Sequence, residues 1–353
     1  MTEAQGITLA TGAVFGIVSF SLSLGLTPLV AWFATNRGIV DQPGQARKIH
    51  TKVTPLMGGW APLLALLFCV IFLLKTSEVL TGGEITERQY IGFLLGGLIL
   101  LIGGTIDDKF AWSPRKAIIP PIMAALVAVA GGIEISKLTN PFGGVILVAE
   151  WMSALMVFGW LMVVMYTTKF LDGLDGLATS VGSVGVSAVL ALALSVAYFQ
   201  PDVAVLSAIM LGAFLGFLVY NFHPATVFLG EGGSTFVGYA VGTLAVISGG
   251  KLATALLVLG VPLLDVVWVV LRRWKNGGLR NIFLGDRKHL HHRLLDLGWS
   301  QRRIVFTYMS VAGIFGACTL ILQSQGKLIA LAILSLLMVL IAAGLVWHEK
   351  KVI

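Results

Sequence analysis

The sequence predicts an all-α, polytopic membrane protein, and its composition and apolar pattern both support that prediction. Hydrophobic residues make up 57% of the 353-residue chain, whereas charged residues make up only 12%. Soluble chains carry about 25% charged residues, so a soluble fold of this composition would expose too much apolar surface. Long apolar stretches recur along the whole chain, and no segment has the composition of a separate soluble domain. We therefore treat 1–353 as a single integral-membrane domain.

Eleven segments approach the roughly 20 apolar residues that a spanning helix needs. We predict spanning helices at 7–34, 56–74, 90–106, 116–132, 149–168, 175–198, 203–220, 235–249, 252–271, 304–323 and 327–347. The eighth is short and joins the ninth through Gly249, Gly250 and Lys251, so the boundary between these two is the least defined.

Basic residues divide the connecting segments into two sides. The segments 36–55, 107–116, 169–175, 221–234 and 272–303 and the tail from His348 share one side, and they carry 19 of the 24 Lys and Arg. Positive charge marks the cytoplasmic side, so we expect the N-terminus outside and the C-terminus in the cytoplasm. On the outer side, 131–148 alternates apolar and polar residues around turn-forming dipeptides, which predicts a small external β-hairpin.

The first two cytoplasmic segments combine basic and acidic residues. Lys48 and His50 belong to a basic cluster in 41–59, which suits either anchoring to lipid headgroups or binding to a phosphate. In 104–117, Asp107 and Asp108 are adjacent at the end of a span, and Lys116 stands near the next helix. Adjacent carboxylates repel, which indicates a cation or a proton transfer between them. A solvated helix end is the alternative.

The third segment, KFLDGLDGLATS at 169–180, is a dense polar run between two apolar segments. Asp172 and Asp175 are three residues apart, and Lys169 precedes Asp172 by three. Charged side chains beside a membrane span cost free energy unless they bind a ligand, so we predict that this segment binds a nucleotide-sugar. A helix N-cap role would explain Asp175 but neither of the other two.

The fourth segment, NFHPATVFLGEGGS at 221–234, contains no Lys or Arg. Glu231 lies in a glycine-rich turn ahead of a helix N-terminus, a position suited to an anion. Phe228 lies three residues earlier and could stack on a base, and Asn221 is a further candidate for substrate binding. A glutamate on a flexible turn is the alternative interpretation.

The fifth segment is the longest and most basic. Its stretch GDRKHLHHRL at 285–294 contains His289, His291, His292 and Arg293. A histidine-rich tract can bind zinc, but this spacing lacks the acid and the i, i+4 pair of zinc helices. With so many neighbouring cations, a phosphate or sugar-phosphate fits better. Asp265, inside the ninth span, is expected to pair with a neighbouring helix.

These motifs resemble those of polyprenyl-phosphate N-acetylhexosamine-1-phosphate transferases of the glycosyltransferase family 4 type. RKIH with TPLMGG, IDD with Lys116, DGLDGLA, NFHPATVFLGEGGS and DRKHLHHRL occur in that order over most of the chain. The histidine motif ending in Arg293 looks like the branch that uses simple UDP-HexNAc donors, such as the undecaprenyl-phosphate GlcNAc-1-phosphate transferases.

The resemblance implies transfer of a HexNAc 1-phosphate, first of all GlcNAc 1-phosphate, from a UDP-sugar to undecaprenyl phosphate with release of UMP. It implies that Asp172, Asp175 and Phe228 contribute to a uridine pocket. Asp107 and Asp108 would orient the lipid phosphate, and the histidine tract would bind the sugar and the diphosphate. Such transfers depend mainly on positioning and on charge neutralisation, so we expect direct displacement rather than a covalent aspartyl-phosphate.

The resemblance also implies Mg²⁺, with Glu231 as its ligand and Asp108 as a second candidate. The family usually has Asp at the position of Glu231 and Asn at that of Lys169. Mg²⁺ demands tight octahedral oxygen geometry, and an ammonium group is not a ligand. Our hypothesis is that Lys169 replaces part of the cation's charge, with Glu231 pairing with it or reaching a displaced Mg²⁺.

The expected partners are a UDP-sugar donor, a polyprenyl-phosphate acceptor and membrane lipid, with a homodimer as one assembly and no nucleic acid. The expected location is the plasma (inner) membrane, with the active site on its cytoplasmic face and the product initiating a lipid-linked cell-envelope glycan. Two other classes stay open, a transporter of a nucleotide or lipid-linked sugar and a catalytically inactive member of a glycan assembly complex. A transporter would place its charges near the bilayer midplane, where Asp265 is the clear candidate.

Overall fold

The structure is a computed structural model, and it describes residues 3–43, 52–140, 143–249, 251–277 and 289–352. Most of the protein is helical. The α-helices of the described residues are α1 (Glu3–Asn36), α2 (Trp60–Thr76), α3 (Glu87–Phe110), α4 (Pro114–Ala117), α5 (Ile119–Ala130), α6 (Glu150–Leu171), α7 (Leu177–Leu194), α8 (Pro201–Asn221), α9 (Gly230–Ile247), α10 (Leu252–Val258), α11 (Gly260–Gly277), α12 (Leu290–Asp296), α13 (Gln301–Ile321) and α14 (Ser324–Val352). A 3₁₀ turn at Val196–Tyr198 follows α7.

Two short antiparallel hairpins accompany the helices. One pairs β1 (Val40–Asp41) with β2 (Thr54–Pro55). The other pairs β3 (Lys137–Thr139) with β4 (Val145–Leu147), with Leu138 opposite Ile146. The second is the hairpin that the sequence predicts, whereas its location outside the membrane stays a prediction.

Each of the eleven predicted segments is helical over most of its length, but their boundaries differ from the prediction. Among the described residues, α1, α3, α6, α7, α8 and α13 are long and apolar enough to cross a membrane, and the bent pair α10–α11 could be a seventh. α2 has 17 residues, and α5 has only 12 because prolines at its N-terminus separate it from α4. The chain is therefore a multi-pass membrane protein, while the eleven spans and their sides stay predictions.

Two helices, rather than one continuous helix, cover the span predicted at 252–271, and they meet at 75°. α10 ends at Val258, and α11 begins at Gly260. Pro262 has no backbone N–H for the carbonyl of Val258, so the helix of α10 cannot continue through it, whereas proline is tolerated in the first turn of α11. A Cβ at Gly260 would lie 2.3 Å from Leu334 Cδ2, so the break also brings α14 close.

α9 is the buried centre of the bundle. All of its residues from Gly232 to Val246 are buried, and it packs against α3, α6, α7, α8 and α10. α1 lies at the opposite extreme, since Ile17 and Trp32 are each 67% exposed. An exposed apolar helix suits contact with lipid, which places α9 inside the bundle and α1 at its periphery.

Glycines allow α9 to approach its neighbours at the end of the bundle that carries the polar segments. A Cβ on Gly104 of α3 would lie 2.0 Å from the backbone nitrogen of Gly232. A Cβ on Gly59 would lie 2.3 Å from the Cα of Gly233. Small residues at such crossings let helix backbones pack closely inside membranes.

We predict that Gly104→Ala destabilises the protein by about 1–3 kcal/mol, because the added methyl group overpacks the crossing of α3 and α9. Thermal unfolding in detergent measures the change. Gly159→Ala is the matched control, since a Cβ there has no neighbour within 4 Å. Equal unfolding temperatures for the two variants would contradict a close α3–α9 contact.

Candidate active site

Five connecting segments meet at one end of the bundle and enclose a cavity of about 1200 Å³. Lys52, Asp108, Asp175, Phe228 and His292 line it, each from a different segment. These are the same five segments that the sequence identifies by their charges. The volume exceeds the roughly 300–1000 Å³ of typical ligand sites, so the cavity has room for a large polar substrate.

Most of the residues predicted for the site line this cavity. They are Asp107, Asp108, Lys169, Asp172, Asp175, Asn221, Phe228, Glu231 and His292. The lining does not include Lys116, His289, His291 or Arg293. Lys48 and His50 lie outside the described residues. Sequence reasoning thus locates the acids and the lysine of the wall, but the structure brings only one of the three histidines to it.

A close ion pair lies on the cavity wall. Lys169 Nζ in the last turn of α6 is 2.6 Å from Glu231 Oε2 in the first turn of α9. The Lys169 side chain is 21% exposed and that of Glu231 is 39% exposed, so both remain accessible from the cavity. The Lys169 ammonium also lies 5.7 Å from the ring centroid of Tyr166, within cation–π range. The pairing of Lys169 with Glu231 that the sequence suggested is therefore present.

Asp108 of α3 caps the N-terminus of α9. Both carboxylate oxygens accept hydrogen bonds from the backbone N–H of Glu231, at 3.1 and 3.2 Å. An acceptor at this position satisfies an N–H group of the first turn of α9 that has no partner within the helix. Gly230 precedes with a φ of +75°, and a Cβ there would lie 2.5 Å from Asp108 Oδ2, so glycine is required. Asp108 thereby determines where Glu231 is placed.

Asp107 shapes the end of α3. Its Oδ1 accepts a hydrogen bond of 2.8 Å from the Trp112 N–H, while Ala111 between them adopts a left-handed conformation with φ +47°. The adjacent carboxylates of Asp107 and Asp108 therefore accept hydrogen bonds from different backbone N–H groups.

Asp175 organises the fourth segment. Its Oδ2 is 2.7 Å from His223 Nδ1 and accepts a 3.0 Å hydrogen bond from the Ala225 N–H. Its own N–H donates to Gln301 Oε1 at 3.2 Å. The N-cap alternative for Asp175 is wrong, because Gly176 is the N-cap of α7 and no side chain caps it. Asp175 instead joins the segment of α6–α7 to the segments before α9 and α13.

Asp172 is the C-cap residue of α6 and lines the cavity. Burial, followed by the nearby charges of Glu231 and Asp175, raises the pKa of Asp172 to about 8. A carboxyl group with that pKa is substantially protonated at neutral pH. It can therefore donate a hydrogen bond to a ligand as well as accept one.

Asn221 and Phe228 fix the start and the end of the fourth segment. Asn221 is buried, accepts a 2.9 Å hydrogen bond from Thr179 Oγ1 and donates one of 3.1 Å to the Val227 carbonyl. Its amide is thus engaged within the protein. The Phe228 backbone is hydrogen-bonded to Pro55 and Gly58, and its side chain is half-buried at the cavity wall. Phe228 is placed where it can meet a planar base.

The histidine tract is held from inside the bundle by Asp265. Asp265 Oδ2 on α11 is 2.8 Å from His289 Nδ1, and Oδ1 accepts a 2.9 Å hydrogen bond from the Leu290 N–H. The pairing predicted for Asp265 is therefore confirmed, and its partner is the start of α12. His289 also stacks on Phe170 with ring centroids 5.7 Å apart. This side chain is positioned by protein groups rather than turned towards the cavity.

His291 and His292 lie against Gly173. A Cβ at Gly173 would lie 2.5 Å from His291 Nε2 and 3.1 Å from His292 Nε2. The absence of a side chain at Gly173 therefore leaves room for the two histidine rings. His291 is buried, and burial lowers its pKa well below the ordinary value, with His292 and His289 adding to the effect. His291 is a neutral ring that packs behind His292 of the cavity wall.

His223 and Gln301 are among the cavity residues that the sequence did not single out. His223 pairs with Asp175, and its carbonyl accepts a 3.0 Å hydrogen bond from Arg302 Nε. Gln301 lines the cavity from the start of α13. The NFHP motif could have drawn attention to His223, since it is the one imidazole in a segment without Lys or Arg. No local signal distinguishes Gln301.

The described residues do not fit the Mg²⁺ site that the resemblance implies. No group of three or more His, Cys, Asp or Glu side chains among them is arranged to hold a metal ion. The Glu231 carboxylate is paired with Lys169, and the Asp108 carboxylate is engaged by the Glu231 N–H. Mg²⁺ needs several oxygen ligands at about 2.1 Å, and an ammonium beside its expected ligand opposes that arrangement.

A multi-pass helical bundle with an acidic and basic cavity at one end defines a membrane protein with a polar ligand site. The sequence model of Glycosyl transferase family 4 matches residues 90–249. The "Probable undecaprenyl-phosphate N-acetylglucosaminyl 1-phosphate transferase" of Bacillus subtilis (strain 168) is 32% identical over 329 residues, which cover 92% of this chain and 88% of that protein. The chain belongs to glycosyl transferase family 4.

Two further relatives show the breadth of the similarity. The decaprenyl-phosphate N-acetylglucosaminephosphotransferase of Mycobacterium tuberculosis (strain ATCC 25618 / H37Rv) is 32% identical over 346 residues, covering 90% of this chain and 84% of the relative. The phospho-N-acetylmuramoyl-pentapeptide-transferase of Geobacillus kaustophilus (strain HTA426) is 29% identical over 314 residues, covering 84% and 93%. The similarity therefore extends over most of the chain rather than over one motif.

We predict that Asp265→Ala loosens α12, because the His289 ring and the Leu290 N–H both lose a buried anionic acceptor. A buried donor that loses its hydrogen-bond partner costs about 1–3 kcal/mol. Hydrogen exchange measured on the 289–296 peptide should become faster. Leu297→Ala at the C-cap of the same helix is the control and should change little, because this side chain is 46% exposed. Unchanged exchange in Asp265→Ala would show that Asp265 does not hold the tract.

Proposed function

We propose that this protein transfers N-acetylglucosamine 1-phosphate from UDP-GlcNAc to a polyprenyl phosphate and releases UMP. The reaction takes place at the cytoplasmic face of the plasma membrane and begins a lipid-linked cell-envelope glycan. The relatives whose names carry this activity share about a third of their residues with the chain over almost its full length. The observation that carries the proposal is the cavity in which Lys169 stands among Asp107, Asp108 and Glu231.

The chemistry is balanced without a proton transfer. An oxygen of the lipid phosphate attacks the β-phosphorus of UDP-GlcNAc, a new P–O–P linkage forms, and the bond from the β-phosphorus to the bridging oxygen breaks. UMP leaves with that oxygen. A phosphate monoester has its second pKa near 6, so the attacking group is largely dianionic at neutral pH and needs no strong base. Both sides of the reaction then carry the same total charge.

Charge neutralisation is the main task that remains for the protein. Two anionic substrates must approach each other beside the carboxylates of Asp107, Asp108 and Glu231. Lys169 offsets this negative charge, and Glu231 orients its ammonium group from a distance of 2.6 Å. Fixed charges act strongly on transferring phosphoryl groups because they need no reorganisation during the reaction.

The other cavity residues bind and orient the substrates. Phe228 offers a half-buried ring for the uracil, and Asp172 can donate or accept a hydrogen bond at neutral pH. Asp175 supports this region by holding His223 and the Ala225 N–H. His292 contributes to the wall from α12. Binding in this arrangement turns an encounter of two substrates into a positioned displacement.

We predict that Lys169→Met lowers the turnover of UDP-GlcNAc about a hundredfold, because Glu231 loses its counter-ion beside an anionic substrate. Release of UMP by the purified protein, given undecaprenyl phosphate, measures the effect. Lys109→Met is the matched control, because Lys109 is an exposed lysine at the end of α3 that does not line the cavity. Equal losses in the two variants would remove Lys169 from the proposed chemistry.

We also expect the wild type to keep turnover after dialysis against EDTA, since Lys169 supplies the positive charge beside Glu231. UMP release is measured with EDTA present and again after Mg²⁺ is added in excess. Recovery that depends on Mg²⁺ would contradict replacement of the metal by lysine and would restore the cofactor that the resemblance implies. Movement of labelled sugar across vesicles without any UMP would favour a transporter instead.

A further inference from the structure

An apolar groove lies beside the cavity, between α3 and the segment formed by α4 and α5. Its volume is about 440 Å³, and Ile102, Ile119 and Met123 form much of its wall. These three side chains are 51%, 52% and 44% exposed, so the groove is open along its length. Among the described residues that line it, Lys116 alone carries a charge.

The groove reaches the cavity at the end of α3. A narrow crevice is lined by Gly103 and Pro120, which also line the groove, and by Asp107, Lys169 and Glu231 of the cavity. The crevice is tight because a Cβ on Gly103 would lie 2.2 Å from Pro120 Cγ. A long apolar chain in the groove would therefore end next to the polar groups that carry the proposed chemistry.

Lys116 lies on α4 and lines the groove, and its side chain is exposed. Trp112, a second residue of the lining, donates its backbone N–H to Asp107 Oδ1 at 2.8 Å. The groove thus combines an apolar wall with one cation, and the adjoining crevice contains Asp107, Lys169 and Glu231. This combination matches a molecule with one apolar chain and one terminal phosphate.

We propose that this groove holds the first isoprenyl units of the polyprenyl-phosphate acceptor, with Lys116 of its lining binding the phosphate. The proposal rests on the proposed function and adds the path by which the acceptor enters the site. It also gives a role to Lys116, which the sequence indicated for substrate binding but which does not line the main cavity.

The groove orients the acceptor more than it increases its affinity. A prenyl chain in the bilayer is already surrounded by hydrocarbon, and lipid tails are as apolar as leucine, so transfer into the groove gains little from the hydrophobic effect. What the groove can supply is a fixed direction for the phosphate at the end of the chain. Such positioning raises the rate of a displacement without new polar contacts.

The test fills the groove with tryptophan at Ile119 or Met123. We expect Ile119→Trp and Met123→Trp to lower kcat/KM for undecaprenyl phosphate about tenfold, with the KM for UDP-GlcNAc unchanged. The same two variants should lower kcat/KM less for a phosphate with a single isoprenyl unit than for the long acceptor. Leu126→Trp is the matched control, since Leu126 is 47% exposed on the same helix and does not line the groove. An unchanged donor KM also shows that the variants are folded.

A binding measurement separates the groove from the proposed reaction. Undecaprenyl phosphate with a diazirine on its first isoprenyl units should crosslink to the 114–123 peptide of the wild type, and Met123→Trp should lower the yield. Equal yields from a diazirine phospholipid would show that the groove takes ordinary bilayer lipid and would overturn the proposal. Turnover of Ile119→Trp and Met123→Trp equal to that of Leu126→Trp would also overturn it. Absence of UMP from wild type that still crosslinks would contradict the proposed function alone.

Discussion

The hydrogen bonds between the Asp108 carboxylate and the Glu231 N–H are the contact on which the site depends. They fix the first turn of α9 against the last turns of α3. That position places the Glu231 carboxylate beside Lys169, at the end of α6. Three helices thus meet through one acid, one backbone donor and one ion pair. The buried body of α9 keeps this end rigid, because each of its residues from Gly232 onward to Val246 is packed inside the bundle.

The charges of the site form a balanced set rather than a binding site for a single ion. Asp107 and Asp108 each accept a hydrogen bond from a backbone N–H. Asp175 is paired with His223, and Glu231 is paired with Lys169. Each of these carboxylates therefore already has a partner within the protein. In the proposed reaction, the positive charge that the anionic substrates meet is a covalent part of the chain, because Lys169 lies at the end of α6. An internal ammonium gives less geometric precision than an octahedral metal ion, but its presence does not depend on metal supply.

Sequence reasoning located the cavity because its polar groups interrupt otherwise continuous apolar segments. Lys169, Asp172 and Glu231 stand out for that reason, and the structure brings them to one cavity. The bend between α10 and α11 was not predicted, because an apolar run of spanning length has the same composition whether straight or broken at Gly260. The direction of the His289 ring could not be predicted from the sequence either, since it depends on Asp265 from a distant helix. Contacts between distant segments leave no local pattern in a sequence.

The most direct measurement of the central claim is an electron cryo-microscopy structure of the protein with UDP-GlcNAc bound in a lipid nanodisc. The account predicts the uracil against Phe228 and the diphosphate within ion-pair distance of Lys169, with Glu231 still paired to the lysine. A nucleotide bound outside the cavity would contradict it. So would a diphosphate held by a divalent cation on Glu231, with the Lys169 ammonium turned away.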